Sequence, residues 1–435
     1  MRLAHALRRV SLVSAAATVL CAGVVAIPAP VDAGPAEQTD CSVYALDDVQ
    51  GSTGATSRPL QLIGVDDAHE LFARDGKEPG AGVDVAVIDS GVTTANGLLE
   101  VQPGARFSKQ SELGYYHGSA VAGLIAGHSR DDGKAVGIAP GARIIDVRVY
   151  DTATPSDSTE TGVTTDGVVQ GLRWVADHAR DPGLDIRVVN VSLSVAATPA
   201  LKSAVKAVRR QDVVVVAASG NRPTEETDPL FTQYQEPRSG EDAVKDVHPA
   251  GYLDDVVAVN ATADGYVVDG APVDITGEVL QNSATDVAVP TYGAVSLGIN
   301  GSTCVLSQLA TSWAAAEVSG VIALLMSWFP KETDEQIIAR LKATADGTVE
   351  GDTVLTGAGM VQPVEAMTRP LSPDKKGRID QSTPEDSDIP QAVAPDPVND
   401  PLDLMRDRAV WWGLLGGAAI VLALMLRPIL ARRRR

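Results

Sequence analysis

Asp89, His117 and Ser312 are the residues whose types could together move a proton and form a covalent bond. Asp89 ends the apolar run VDVAVID and precedes Ser90-Gly91. A carboxylate at the C-terminal tip of a buried strand is placed to accept a hydrogen bond from an imidazole, although an Asp there is often only a turn former. The chain has six histidines: His5, His69, His117, His128, His178 and His248. Of these, His117 opens HGSAVAG, whose small residues allow a tightly packed helix to start at the imidazole. Ser312 lies in ATSWAAAEVSG, just before a long apolar helix through Phe329. A hydroxyl at a helix N-terminus sits in a positive field that favours developing negative charge; alone, a Thr-Ser pair there is a cap. Asn221 ends the segment Ser219-Gly220-Asn221 after an apolar strand, and its amide could donate to an oxyanion; alone, Gly-Asn is a turn. Each signal is weak singly. Asp, then His, then Ser, each at a strand tip or helix start, is one of the chain orders used by serine hydrolases.

The elements that must position these residues are short β-branched runs alternating with helical patterns. Strands are expected at Val83–Asp89, Arg143–Tyr150, Ile186–Leu193, Asp212–Ser219 and Asp255–Thr262. Near-continuous apolar strands predict a parallel sheet covered on both faces. Thr198-Pro199 supplies a helix start, and Thr333 with Gln336 a capping box. This is an α/β three-layer pattern, and it forms one continuous domain over about residues 61–370. Two polar insertions interrupt it, Asp151–Thr165 and Arg222–His248, the second with seven acidic residues. Loops after strand ends line the usual ligand crevice of such sheets, so these are either rims of a substrate groove or tolerated surface loops.

The motif set resembles the subtilisin-like serine proteases. VAVIDSGV resembles the family's Asp motif, HGSAVAG its His motif and ATSWAAA its Ser motif. GIAPGA (residues 137–142) resembles the segment after the His helix, VVNVSLS (188–194) the substrate-binding strand, AASGN (217–221) the oxyanion motif and GAGMVQPVEA (357–366) the closing segment. The resemblance implies a subtilisin-like fold and a serine endopeptidase acting on protein or peptide substrates. It assigns Asp89, His117 and Ser312 to the triad, Asn221 to the oxyanion, and Ser192, Leu193 and Ser194 to the substrate strand. There are departures. Ala310 and Ala316 stand where the family usually has Gly and Pro, and Ser119 replaces a usual Thr. Ser194-Val195 replaces a usual Gly and is expected to narrow the primary pocket. Ala310 adds a methyl where the family's glycine implies close backbone approach and unusual φ/ψ.

The ends of the chain add a second pattern. Residues 1–33 have the build of a secretory signal: Arg2, Arg8 and Arg9, an apolar stretch, then Val31-Asp32-Ala33, with cleavage expected after Ala33. Residues 34–60 are a polar, turn-rich extension, too short to fold as an inhibitory domain of its own. Residues 371–408 carry six Pro, nine acidic and five basic residues, which reads as an extended linker. Ala409–Leu426 is uncharged and just long enough to span a bilayer. Trp411 and Trp412 mark one edge, and Arg427 with the terminal Arg432–Arg435 run forms a basic tail, expected to be cytoplasmic. These ends resemble the membrane-anchored mycosins, subtilases associated with type VII secretion. The resemblance implies a single-pass cell-membrane protein with an extracellular catalytic domain, a secretion membrane complex as partner, and an extension lying along the catalytic domain. It leaves open a mainly structural role in that complex with weak or dispensable proteolysis. Mycosins often carry a Cys just upstream of the His; here Tyr115-Tyr116 stand there.

Composition agrees. The chain is 44% hydrophobic, which excludes full-length disorder. A net charge of −20 argues against nucleic acid as a partner. The acidic residues are too loosely spaced for a calcium loop, so no metal or other cofactor is expected. Three cysteines exclude a disulfide scaffold. With Cys21 inside the signal, Cys41 and Cys304 remain in an oxidising compartment, which permits one pairing.

Overall fold

The computed structural model describes residues 39–223, 231–263, 267–268, 271–272, 274–347, 352–379 and 403–432. The expected signal peptide, residues 1–33, and most of the expected linker lie outside them.

Seven strands form one sheet: β1 Asp84–Asp89, β2 Val101–Arg106, β3 Arg143–Arg148, β4 Ile186–Val191, β5 Val214–Ala218, β6 Val257–Thr262 and β7 Thr285–Pro290. Their order is β2-β3-β1-β4-β5-β6-β7, and every pairing is parallel. All six residues of β1 are buried. Alternate side chains serve opposite layers: Val85 and Val87 join one core cluster, Ala86 and Ile88 the other. On the first face lie α1 (Arg58–Leu62), α2 (Val65–Arg74) and α3 (His117–Ala126), with α6 (Thr311–Trp328), α7 (Asp334–Ala343) and α8 (Pro363–Thr368). The second face is covered by α4 (Thr165–His178) and α5 (Pro199–Arg209). Burial on both faces explains why the central strands are almost purely apolar.

The expected helix starts are present. Thr198 accepts from Leu201 N at the head of α5, and Thr333 with Gln336 closes a reciprocal capping box on α7. A hairpin, β8 (Ala294–Leu297) with β9 (Thr303–Leu306), leads into α6. The N-terminal extension lies along this hairpin: Asp40 bridges Val305, and Ser52 bridges Thr303. Cys41 is disulfide-bonded to Cys304, Cα–Cα 5.0 Å. The first residues of the Pro-rich stretch are held against α7, where Gln336 Nε2 donates to Pro373 O and Arg340 to Leu371 O. Residues 381–435 form a separate unit. Its described helix, α9 (Asp403–Arg432), contains Arg408–Arg427, with mean hydropathy 2.1, long and apolar enough to cross a membrane.

Candidate active site

β1 delivers Asp89 to its C-terminal tip, fully buried. His117 is the first residue of α3, and its Nδ1 lies 2.8 Å from Asp89 Oδ1 and 3.0 Å from Oδ2. A carboxylate can only accept, so Nδ1 carries the proton and Nε2 is left as the base nitrogen. Ser90 locks the two elements together: its N–H donates to Asp89 Oδ1 (2.7 Å), and its hydroxyl donates to Tyr115 O and accepts from Gly118 N. Gly118 is required here, because a Cβ would lie 2.4 Å from Gly91 O. The imidazole packs against Trp313, ring centroids 4.8 Å apart, and stacks on Tyr115.

Ser312 is the second residue of α6. Its carbonyl accepts from Ser192 Oγ (2.8 Å), which in turn accepts from Asn190 Nδ2 (2.9 Å). The Ser319 hydroxyl donates to Asn190 Oδ1 (3.0 Å), so β4 and α6 are tied by a buried polar chain. Asn221 follows β5 through Gly220, whose φ of +111° suits glycine. The Asn221 Oδ1 accepts from Thr311 N (2.7 Å) and Oγ1 (2.9 Å). That fixes the amide orientation and leaves its NH2 as the donor.

A cleft of about 540 Å³ brings His117, Ser312 and Asn221 together with Ser192, Leu193 and Ser194. Both insertions reach it: Ala153, Thr154 and Val163 come from the first, and Arg222, Pro223 and Phe231 from the second. Arg222 brings no free charge. Its buried guanidinium pairs with Glu241 through two bonds (2.8 and 3.0 Å) and donates to Thr276 O and Tyr234 O.

Residues 80–361 match the sequence pattern of the Subtilase family. The chain belongs to that family. As a subtilase it is a subtilisin-like serine peptidase, homologous to the mycosins. It is 32% identical over 340 residues to Mycosin-1 of Mycobacterium tuberculosis (strain ATCC 25618 / H37Rv), covering 72% of this chain and 73% of that protein. It resembles the structure of the MycP3 protease from the type VII (ESX-3) secretion system. The identity is 27% and the TM-score 0.55, over 78% of this chain and 95% of that one. It also shares its fold with a chain in an intact ESX-5 inner membrane complex. There the identity is 24% and the TM-score 0.59, over 89% of this chain and 93% of that one.

Against the subtilase pattern, the unusual φ/ψ expected at Ala310 is not found. The residue has φ −149° and ψ 140°, extended backbone open to any L-residue. Ala316, in place of proline, lies within α6 and restores a main-chain donor that proline would remove. Ser119 accepts from Thr93 N (2.9 Å) and so holds the turn after β1. Two polar partners of the site escaped the sequence reading. Thr311 orients Asn221, and Tyr150, at the end of an expected strand, donates to Asp89 Oδ1 (3.0 Å). The signal at Tyr150 was a hydroxyl-bearing aromatic closing the run RIIDVRVY.

Proposed function

We propose that this subtilase is a membrane-anchored serine endopeptidase acting through Asp89, His117 and Ser312. The observation that carries the reading is the 2.8 Å Asp89–His117 contact in a site whose cleft is shared by His117, Ser312 and Asn221. Ser312 Oγ attacks the peptide carbonyl. His117 Nε2 takes its proton and returns it to the leaving amine, while Asp89 orients the ring and stabilises the imidazolium. The Asn221 amide and the Ser312 N–H donate to the oxyanion; one such donor is typically worth ~3–4 kcal/mol of barrier. The strand segment Ser192–Leu193–Ser194 offers the edge along which a substrate peptide lies.

The domain division follows the sequence: signal 1–33, extension 34–60, catalytic domain 61–370, linker 371–408, membrane helix 409–426 and basic tail 427–435. The apolar span in α9 supports anchoring. The arginines after it favour a cytoplasmic C-terminus and an extracellular catalytic domain. The homology to mycosins, and the likeness to the MycP3 protease of a type VII secretion system and to a chain of the ESX-5 inner membrane complex, support a place in a type VII secretion membrane complex. The likeness to a chain of an inner membrane complex also favours a second reading, a mainly structural part.

An active-site phosphonate probe tests the first reading. Labelling of the full chain that requires both Ser312 and His117 is the expected result, and labelling indifferent to either residue overturns the assignment. Genetic complementation separates the two readings, because secretion restored by Ser312→Ala favours the structural part.

A further inference from the structure

Tyr150 lies two residues beyond the end of β3 and is among the largest fully buried side chains of the molecule. Its phenol reaches Asp89 Oδ1 at 3.0 Å, on the same oxygen that accepts from Ser90 N and His117 Nδ1. It is absent from the cleft lining and meets the triad through its hydrogen bond to Asp89, while its ring lies 6.1 Å from that of Tyr115, which stacks on His117. Burial, and the charge of Asp89 beside it, hold the phenol well above its ordinary range, so it remains a donor at any working pH.

We propose that Tyr150 is a positioning residue that sets the pH at which the Asp89–His117 pair sheds its proton and becomes a base. This rests on the serine-peptidase reading above. With the proton on, the pair is a carboxylate beside an imidazolium, net neutral. With it off, the pair carries one negative charge, concentrated on Asp89. A hydrogen bond to Asp89 stabilises the second state more than the first and lowers the pair's proton affinity. The titratable groups around the pair are Tyr115 and Tyr116 on the segment before α3, and Asp146 and Arg148 on β3. Arg148 is engaged by Asp151 (2.7 Å). α6 meets His117 with Trp313, which does not titrate. Asp146, pushed up to about 6 by burial, is present in both proteins and makes no hydrogen bond to Tyr150, so the phenol is the group that differs between the two profiles.

The experiment is the rate of phosphonate labelling of the full-length protein in detergent, from pH 5 to 9. Wild type, Tyr150→Phe and a Ser312→Ala control are compared. Tyr150→Phe is expected to move the acidic limb up by about 0.5–1 pH unit and to leave the alkaline plateau within about threefold. Site-specific Tyr150→3-fluorotyrosine keeps the shape and makes a stronger donor, so its limb moves down, which keeps the test sound if the Phe variant folds poorly. Superimposed profiles, or shifts of the opposite sign, overturn the role of Tyr150 and leave the peptidase reading standing. Absence of Ser312-dependent labelling in the wild type overturns both.

Discussion

Ser312 occupies the second position of α6, after an N-cap, Ala310, that makes no side-chain cap bond. The hydroxyl therefore does not close the helix end, and its loss should not cost what a cap costs. We expect Ser312→Ala to lower turnover by ~10³-fold or more while shifting stability by no more than about 0.5 kcal/mol. Paired rate and thermal-melt measurements check this, and unchanged turnover would refute the role. For Asn221, with its carbonyl end held by Thr311, Asn221→Ala should cost ~10²–10³ in kcat with KM little changed. Steady-state kinetics decide, since a loss confined to KM would make Asn221 a binding residue. Asp146 offers a pH test. Its carboxyl is raised to about 6 by burial, and one oxygen has no partner among the described residues. The folded state thus holds a proton that the unfolded chain has released between about pH 4 and 6, so stability falls as pH rises through that window. Asp146→Asn should melt like wild type near pH 4 and be more stable at pH 8, by up to ~3 kcal/mol. Equal pH slopes in the two proteins would exclude this. At this scale, Asp89, His117, Ser312 and Asn221 were legible because each sits in its own short motif at a strand tip or helix start. Tyr150 and Thr311 were not, because their meaning depends on partners 61 and 90 residues away in the chain.

Strands and loops divide along the same physical line. The central strands were readable because burial on both faces leaves mostly apolar residues, as in β5 and in β1, whose two aspartates stand at its ends. The edge strands β2 and β7 went unread. β2 is VQPGAR, with a proline that suits an edge and a glycine that weakens the strand pattern, and β7 is TDVAVP, ending in Pro290. The hairpin β8–β9 went unread although Asn300-Gly301, a strong turn pair, stands between its two strands. The insertions were legible as loops but ambiguous in purpose, and the structure places both at the cleft. What fastens the second one is the Arg222–Glu241 pair, whose side chains are 3% and 2% exposed. Removing one partner leaves a buried charge, which typically costs ~3–5 kcal/mol. Glu241→Ala should therefore lower the melting temperature and raise KM, because Pro223 and Phe231 on the same loop line the cleft. Arg222→Met with Glu241→Leu removes both charges and should recover much of the lost stability. A double variant as unstable as the single one would show that the pair is not the fastening.

Across the whole molecule, the disulfide joins the two segments that sequence reasoning could link only by elimination. Cys41 and Cys304 are both fully buried, and the bridge spans 263 residues. The chain-entropy model assigns ~5 kcal/mol to a loop of that size, and real bridges often deliver less. Here the extension is also held without the sulfurs. Gly51 N donates to Ser302 Oγ (2.8 Å), and Thr53 N to Thr303 O (3.1 Å). Asp40 accepts from the Ser307 hydroxyl, and the Arg130 guanidinium donates to Thr53 O and Ala55 O. These bonds act in the folded state, whereas the bridge acts mainly by limiting the unfolded chain, so the two contributions are separable. Cys304 is eight residues before Ser312, so the bridge fastens the extension to the strand that feeds the nucleophile helix. Replacing both cysteines by alanine should cost about 2–4 kcal/mol of stability. The remaining hydrogen bonds should keep the extension docked, so residues 39–57 resist proteolysis at temperatures well below the new melt, and Ser312 labels at close to the wild-type rate. Denaturant unfolding, limited proteolysis and probe labelling on the same preparations read the three quantities. Early cleavage of the extension with an unchanged unfolding midpoint would reverse the argument, making the bridge a clamp on the folded state rather than a restraint on the unfolded one.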